Sequence, residues 1–332
     1  MAWFYVCVCG DRRPCCPGGT ARLVLCAAFS VISHTDIIRK RIVPIMTCHS
    51  EEAQTAPARR ARRRACFRAD SAQLAALPYT SLMFRTRFKK EIVAEFLPPA
   101  RPRKTQRIIL LCDGMPSIPR KQPLVEFLSR KGYWVFYPRW RGAWESGGQF
   151  LQRPPQEDLG DIMDELPRGV RELAFGRRFR LSPDEIFVIG GSFGGAAAIL
   201  ASLDARVKKV VANCPVVDWS ILPREQKKET SNPSYPAYIR HAFGNGYRLL
   251  DKNWNKLFSG VFYNPAHHIQ ELTPSKILIF HAQDDPYIPW RSVSRFAAAA
   301  GIKLRLLRRG GHLRTETVVR AHWPQIERFF HS

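Results

Sequence analysis

Between a short apolar run, Glu185–Ile189, and a stretch of small residues, Phe193–Leu203, the chain reads Gly190-Gly191-Ser192-Phe193-Gly194-Gly195. A serine on the turn from a buried strand into a helix is hard to explain as packing, because it adds nothing to a core. The turn imposes a strained backbone, and flanking glycines leave room for it. What the position offers is an exposed hydroxyl at a helix N-terminus, where backbone N–H groups favour developing negative charge. Such a hydroxyl becomes a nucleophile when a base takes its proton and an acid orients that base. A phosphate cradle is a competing use of glycine-rich turns. Here no Lys-Ser/Thr follows, and the G-x-G-x-x-G spacing fails.

Candidate partners lie downstream, in the order serine, acid, histidine. The apolar run Lys276–His281 leads into Ala282-Gln283-Asp284-Asp285-Pro286-Tyr287-Ile288-Pro289. The next run, Ile302–Leu307, leads into Arg308-Arg309-Gly310-Gly311-His312. A carboxylate and an imidazole leaving adjacent strand ends would both arrive at the carboxyl edge of a sheet, where open α/β sheets bind ligands. Spacing alone leaves Asp284 and Asp285 as rival acids. The chemistry expected is attack of the Ser192 alkoxide on a carbonyl, with His312 as base. It calls for no metal and no organic cofactor.

The elements that must position these residues are legible as alternating patterns from about Met83 onward. Glu91–Phe96, Arg107–Cys112, Tyr133–Tyr137, Glu185–Ile189, Val207–Ala212, Lys276–His281 and Ile302–Leu307 read as strands, most of them apolar throughout. Lys121–Lys131, Gln156–Phe175 (kinked at Pro167), Phe193–Leu203, Trp290–Ala300 and Thr315–Phe330 read as helices. Strands alternating with helices imply an α/β fold, with a mostly parallel sheet covered on both faces. Residues 220–275 break the rhythm. They are polar, aromatic and proline-rich, too long for a simple connection, and read as an inserted cap or lid. Trp219, Tyr235, Tyr238, Phe243, Trp254 and Phe258 could line a pocket there, although most are better suited to cap core.

Residues 1–82 differ from the rest. They lack periodicity, carry the arginine cluster Arg59, Arg60, Arg62, Arg63 and Arg64, and hold seven of the nine cysteines. We read them as a disordered or spurious leader, with Met46 and Met83 as candidate starts. The arginine-rich, acid-poor composition also fits a transit peptide, the less favoured reading, and Leu23–Ile32 starts late for a signal h-region and lacks a convincing cleavage site. The N-terminal cysteines lack C-x-x-C spacing, which argues against zinc. Only Cys112 and Cys214 fall in the patterned part, so a reducing, cytoplasmic setting is expected. No run of eighteen apolar residues suggests a transmembrane helix. The chain has 52 Lys and Arg against 28 Asp and Glu, a net charge of +24. The surplus runs along the whole chain, and no nucleic-acid-binding motif accompanies it, so no nucleic-acid partner is expected.

Taken together, Arg141-Gly142, Leu181-Ser182-Pro183-Asp184, the GGSFGG turn, Asn264-Pro265, HAQDDPYIP and Gly310-Gly311-His312 carry a family resemblance. From about residue 85 to the end, the chain resembles the catalytic domain of the prolyl oligopeptidase family, within the α/β-hydrolase superfamily. The resemblance implies an α/β-hydrolase fold over 83–332 and a triad of Ser192, Asp285 and His312. The family's acid lies four residues before the proline of an Asp-x-x-Val/Ile-Pro motif. This selects Asp285 and leaves Asp284 to cap the loop. It also implies an oxyanion hole from the backbone N–H of Phe193 and that of Met115, which follows Asp113-Gly114 where relatives carry His-Gly. The residues ahead of position 83 leave no room for the family's β-propeller. The expected substrate is therefore an ester, short peptide or amide. Two rival readings remain, a non-catalytic binding scaffold of the same fold and a basic nucleic-acid-binding protein. The first would be marked by loss of a triad member, and the second rests on charge alone.

Overall fold

The computed structural model describes residues 83–101, 103–220 and 234–332. The expected leader over 1–82 and residues 221–233 of the inserted segment lie outside them. One eight-stranded sheet organises the described residues. In chain order its strands are β1 (Phe84–Phe88), β2 (Ile92–Leu97), β3 (Arg107–Cys112), β4 (Trp134–Pro138), β7 (Glu185–Gly191), β8 (Val207–Asn213), β9 (Ile277–Ala282) and β10 (Lys303–Leu307). Across the sheet they run β1-β2-β4-β3-β7-β8-β9-β10. Every pair from β4 to β10 is parallel, whereas β1 and β2 add on antiparallel. A separate two-stranded ribbon joins β5 (Val170–Arg171) to β6 (Arg178–Phe179).

The parallel strands are apolar on both faces because both are covered. On one face Ile109, Leu111, Phe187 and Ile189 pack with α1 (Gln122–Arg130), α7 (Thr315–Ala321) and α8 (Trp323–Phe330). On the other, Ile108, Leu110 and Val188 pack with α2 (Gln156–Glu165), α3 (Phe193–Ala201) and α6 (Trp290–Ala299). α3 is buried on all sides, which its all-apolar small-residue sequence permits. Between β8 and β9, the described residues form short helices, among them α4 (Ser234–Phe243) and α5 (Asp251–Asn255). Trp219 and Trp254 there are buried, while Tyr238 is exposed.

Two long helices expected from the sequence are shorter in the fold. The first ends at Glu165 because Pro167, which has no N–H to offer, sits in a following 3-10 turn, Leu166–Arg168. The ribbon β5–β6 takes the remainder. The C-terminal helix divides at His322, two residues before Pro324, which takes the second position of α8. β1 is a strand the sequence reading did not delimit. It turns into β2 through Lys89 and Lys90, both at positive φ (47° and 61°). Acids of α2 hold that turn. Glu165 accepts the Lys89 N–H at 2.7 Å, and Asp161 and Asp164 lie within ion-pair range of its ammonium.

Candidate active site

At the carboxyl end of β7, Ser192 adopts φ 55° and ψ −119°, a conformation disfavoured for any residue with a side chain. Neighbours hold it there. Its N–H donates to the Asn213 carbonyl at 2.8 Å, and its own carbonyl accepts from the N–H of Gly195 and Val216. α3 starts immediately after it. The first N–H groups of a helix have no partner within the helix, so the Phe193 N–H is available at the turn.

Gly194 sets how close α3 comes to the end of β3. A Cβ added there would lie 2.4 Å from the Asp113 carbonyl oxygen and 2.6 Å from that of Cys112, so only glycine fits. This approach lays the loop after β3 against the serine, with an added Cβ on Gly114 only 3.6 Å from the Ser192 Cβ. Among the described residues no hydrogen bond engages the N–H of Met115. The loop around it is fixed by Asp113. One carboxylate oxygen accepts the Gly114 N–H at 2.9 Å and lies 2.8 Å from the Lys121 ammonium. The other accepts the Ser117 hydroxyl at 2.6 Å and the Tyr137 hydroxyl. Tyr247 and Trp144 hold the far side of the loop through the Ser117 backbone. The Met115–Pro116 bond is cis.

The loops after β9 and β10 bring Asp285 and His312 together. His312 Nδ1 lies 2.9 Å from Asp285 Oδ2, so Nδ1 carries the proton and Nε2 keeps a lone pair. The Asp285 side chain is fully buried, while that of His312 is 25% exposed. Its other oxygen accepts the N–H of Tyr287 at 2.8 Å and of Ile288 at 3.0 Å. Burial alone would raise the Asp285 carboxyl. The hydrogen bond and charge of His312, with those two N–H groups, outweigh burial and hold it below the ordinary carboxylate range. Asp284 faces the other way. It accepts the N–H of Gly310 at 3.1 Å and of Gly311 at 2.8 Å, tying the histidine loop to the loop before it. The Tyr287 ring stands edge-on to the imidazole, centroids 5.3 Å apart.

Further contacts dock the histidine loop beside the serine. Asn213 Nδ2 donates to the Leu313 carbonyl at 2.6 Å. An added Cβ on Gly191 would lie 2.2 Å from Thr315 Oγ1, so α7 begins directly against the residue before Ser192. No hydrogen bond joins Ser192 Oγ to His312 among the described residues, and such contacts commonly tighten only around a bound substrate.

Sequence reading did not anticipate the layer behind the acid. Cys214, His281 and Asp285 each place a donor atom within 4.8 Å of the others. This is the group of side chains among the described residues that could hold a metal. Of its donors, His281 Nε2 donates to the Ile288 carbonyl at 3.0 Å and Asp285 serves His312, while His281 Nδ1 is buried without a hydrogen-bond partner. Burial keeps His281 below its ordinary value and pushes the Cys214 thiol up to about 12. The group therefore presents a neutral imidazole and a neutral thiol to the back of the carboxylate.

A mostly parallel eight-stranded sheet, helices on both faces and a serine on the turn from strand to helix define an α/β-hydrolase fold. The sequence profile of the prolyl oligopeptidase family matches residues 122–320, and the chain belongs to that family. Among curated proteins nothing matches the chain. Solved structures with a similar fold include the Pyrococcus furiosus esterase Pf2001, with a TM-score of 0.52 and 18% identity over 80% of this chain and 95% of that one. The Pyrococcus horikoshii acylaminoacyl peptidase has a TM-score of 0.50 and 16% identity, over 75% of this chain but only 41% of the peptidase. The α/β hydrolase GrgF from Penicillium gives 0.54 and 15%, over 75% and 97%. At these identities the likeness concerns the fold. No helix among the described residues is long and apolar enough to cross a membrane.

Proposed function

We propose that the protein is a serine hydrolase that cleaves an ester or a peptide or amide bond through an acyl-enzyme on Ser192. The observation that carries this reading is the hydrogen bond from His312 to the buried Asp285 carboxylate at the sheet edge that also holds a strained serine. His312 Nε2 takes the Ser192 proton as the oxygen attacks the carbonyl, then gives it to the leaving group. Asp285 keeps the proton on Nδ1 and stabilises the imidazolium while it lasts. The oxyanion is met by the N–H of Phe193 and of Met115, the latter held in place by the Asp113 network. Water activated by His312 then releases the acid. Substrates are small esters or short peptides, and the 220–275 segment acts as the cap over them.

The test is activity-based labelling with a fluorophosphonate, followed by a panel of p-nitrophenyl esters and aminoacyl amides. Labelling confined to Ser192 with turnover of at least one class is expected. A folded protein that neither labels nor turns over any member would return the non-catalytic scaffold as the better account.

A further inference from the structure

The loop that carries Met115 is held from two sides. Asp113 fixes its inner side. On the outer side the backbone anchor is Ser117, because Pro116 has no N–H to offer. The Ser117 N–H donates to the Tyr247 hydroxyl at 2.9 Å, and that hydroxyl donates in turn to the Ser117 carbonyl at 3.3 Å. Trp144 Nε1 donates to the same carbonyl at 3.0 Å. Tyr247 therefore grips both backbone groups of one residue, two positions beyond the Met115 N–H.

Tyr247 belongs neither to the sheet nor to the helices that cover it. It comes from the inserted segment between β8 and β9, where residues 246–249 run along the loop after β4. The Trp144 N–H donates to the Gly246 carbonyl at 2.7 Å, the Arg248 N–H to the Gly142 carbonyl at 2.7 Å, and the Phe150 N–H to the Arg248 carbonyl at 2.9 Å. These bonds make this part of the insertion a fixed wall. Tyr247 is buried in it, with its ring edge-on to Phe150 at 5.1 Å between centroids, and Phe150 packs on Phe193 at 5.6 Å. One residue of the insertion thus reaches both candidate oxyanion donors, Met115 through a hydrogen bond and Phe193 through packing. Burial pushes the Tyr247 hydroxyl up to about 12, so at neutral pH it keeps the proton that it donates.

We propose that Tyr247 is a positioning residue for the oxyanion hole, through which the inserted segment sets the place of the Met115 N–H. This rests on the serine-hydrolase reading above. A donor held at the wrong place costs little while the substrate is a neutral carbonyl and most once its oxygen is charged. The hydroxyl of Tyr247 therefore acts on kcat rather than on KM.

The experiment measures kcat and KM for p-nitrophenyl butanoate, and the inhibition constant of an alkyl trifluoromethyl ketone, in the full-length protein. Ser192 Oγ adds to the ketone carbon, His312 takes the serine proton, and the ketone oxygen becomes the oxyanion. Rates are expressed per site labelled by fluorophosphonate, so a partly unfolded preparation does not mimic the effect. Tyr247→Phe keeps the ring and removes the hydroxyl. Its kcat should fall about tenfold with KM within about twofold, less than the 10²–10³-fold cost of losing a donor outright. The ketone should bind about tenfold more weakly, in step with kcat/KM, while melting stays near wild type. Trp144→Phe, which removes the other donor to the Ser117 carbonyl, should show the same split, and it decides the matter if Tyr247→Phe folds poorly. An unchanged kcat, or a loss that falls on KM and leaves ketone binding intact, overturns this inference and leaves the hydrolase reading standing. A wild-type protein that neither turns over the ester nor labels at Ser192 overturns the hydrolase reading and this inference with it.

Discussion

At the scale of single residues, the two neighbouring carboxylates make opposite predictions. Asp285 is buried and bonded to the imidazole, whereas Asp284 is exposed and bonded to loop amides. Asp285→Asn should lower kcat by about 10⁴-fold, because an amide stabilises the wrong imidazole tautomer. Asp284→Asn should cost about tenfold or less, acting only through the loop. Steady-state kinetics of the two variants checks this, and the reverse ranking would count against Asp285 as the orienting acid. Acid stability should report the same carboxylate. A pKa depressed in the folded state contributes stability above the unfolded value of about 3.9, and that contribution is lost as pH falls through the folded value. In denaturant melts at stepped pH, the stability gap between wild type and Asp285→Asn should narrow below about pH 4. Ser192→Ala should abolish fluorophosphonate labelling and leave only oxyanion-hole catalysis, with near-native melting. Adding His312→Ala should cost little more, since a triad acts as a unit.

At the scale of elements, function depends on how closely rigid pieces approach. α3 meets the end of β3 through Gly194 with no room for a methyl group. Gly194→Ala sets a Cβ against backbone that cannot rotate away, so it should lower Tm by about 5 °C or more and disturb the Met115 loop. Thermal melts and esterase assays would show both losses together. The exit from β4 is pinned by Arg141, whose guanidinium bonds Glu91 at 2.6 Å, Asp161 at 2.6 Å and the buried Asp158. Arg141→Met removes the guanidinium and leaves the buried Asp158 carboxylate with only the backbone N–H of residue 141, which it accepts at 2.8 Å. That should destabilise the fold by about 3–5 kcal/mol in chemical denaturation, far more than loss of an exposed pair such as Arg153 with Glu157.

At the scale of the whole molecule, residues 83–332 hold the sheet, both covering layers and every group invoked in the chemistry. Expressed alone from Met83, they should fold and retain esterase activity. An insoluble or inactive product, beside an active full-length protein, would make the first 82 residues part of the working fold. Cys112 and Cys214, both buried, should resist aromatic disulfide reagents until the protein unfolds, because burial removes both access and thiolate.

The sequence by itself determined whatever is written in short-range pattern. Arg107–Cys112 was legible to the residue as a strand, because a fully buried strand is a bare apolar run. The serine turn was legible because glycines crowd where backbone must come close. The order of serine, acid and histidine was legible because each follows its own strand. Tertiary structure decided what depends on residues distant in the chain. β1 escaped delimitation because its turn uses two lysines at positive φ in place of Asn-Gly, held by acids more than seventy positions away. Asp113 was legible only by its place ahead of Met115; that Ser117, Lys121 and Tyr137 converge on its carboxylate was decided by the fold. Cys214 and His281 carried no signal of standing behind Asp285, nor Thr315 of standing against Gly191. Local pattern records which face of an element is buried; which side chains meet there is decided by packing between elements, and no periodicity encodes it.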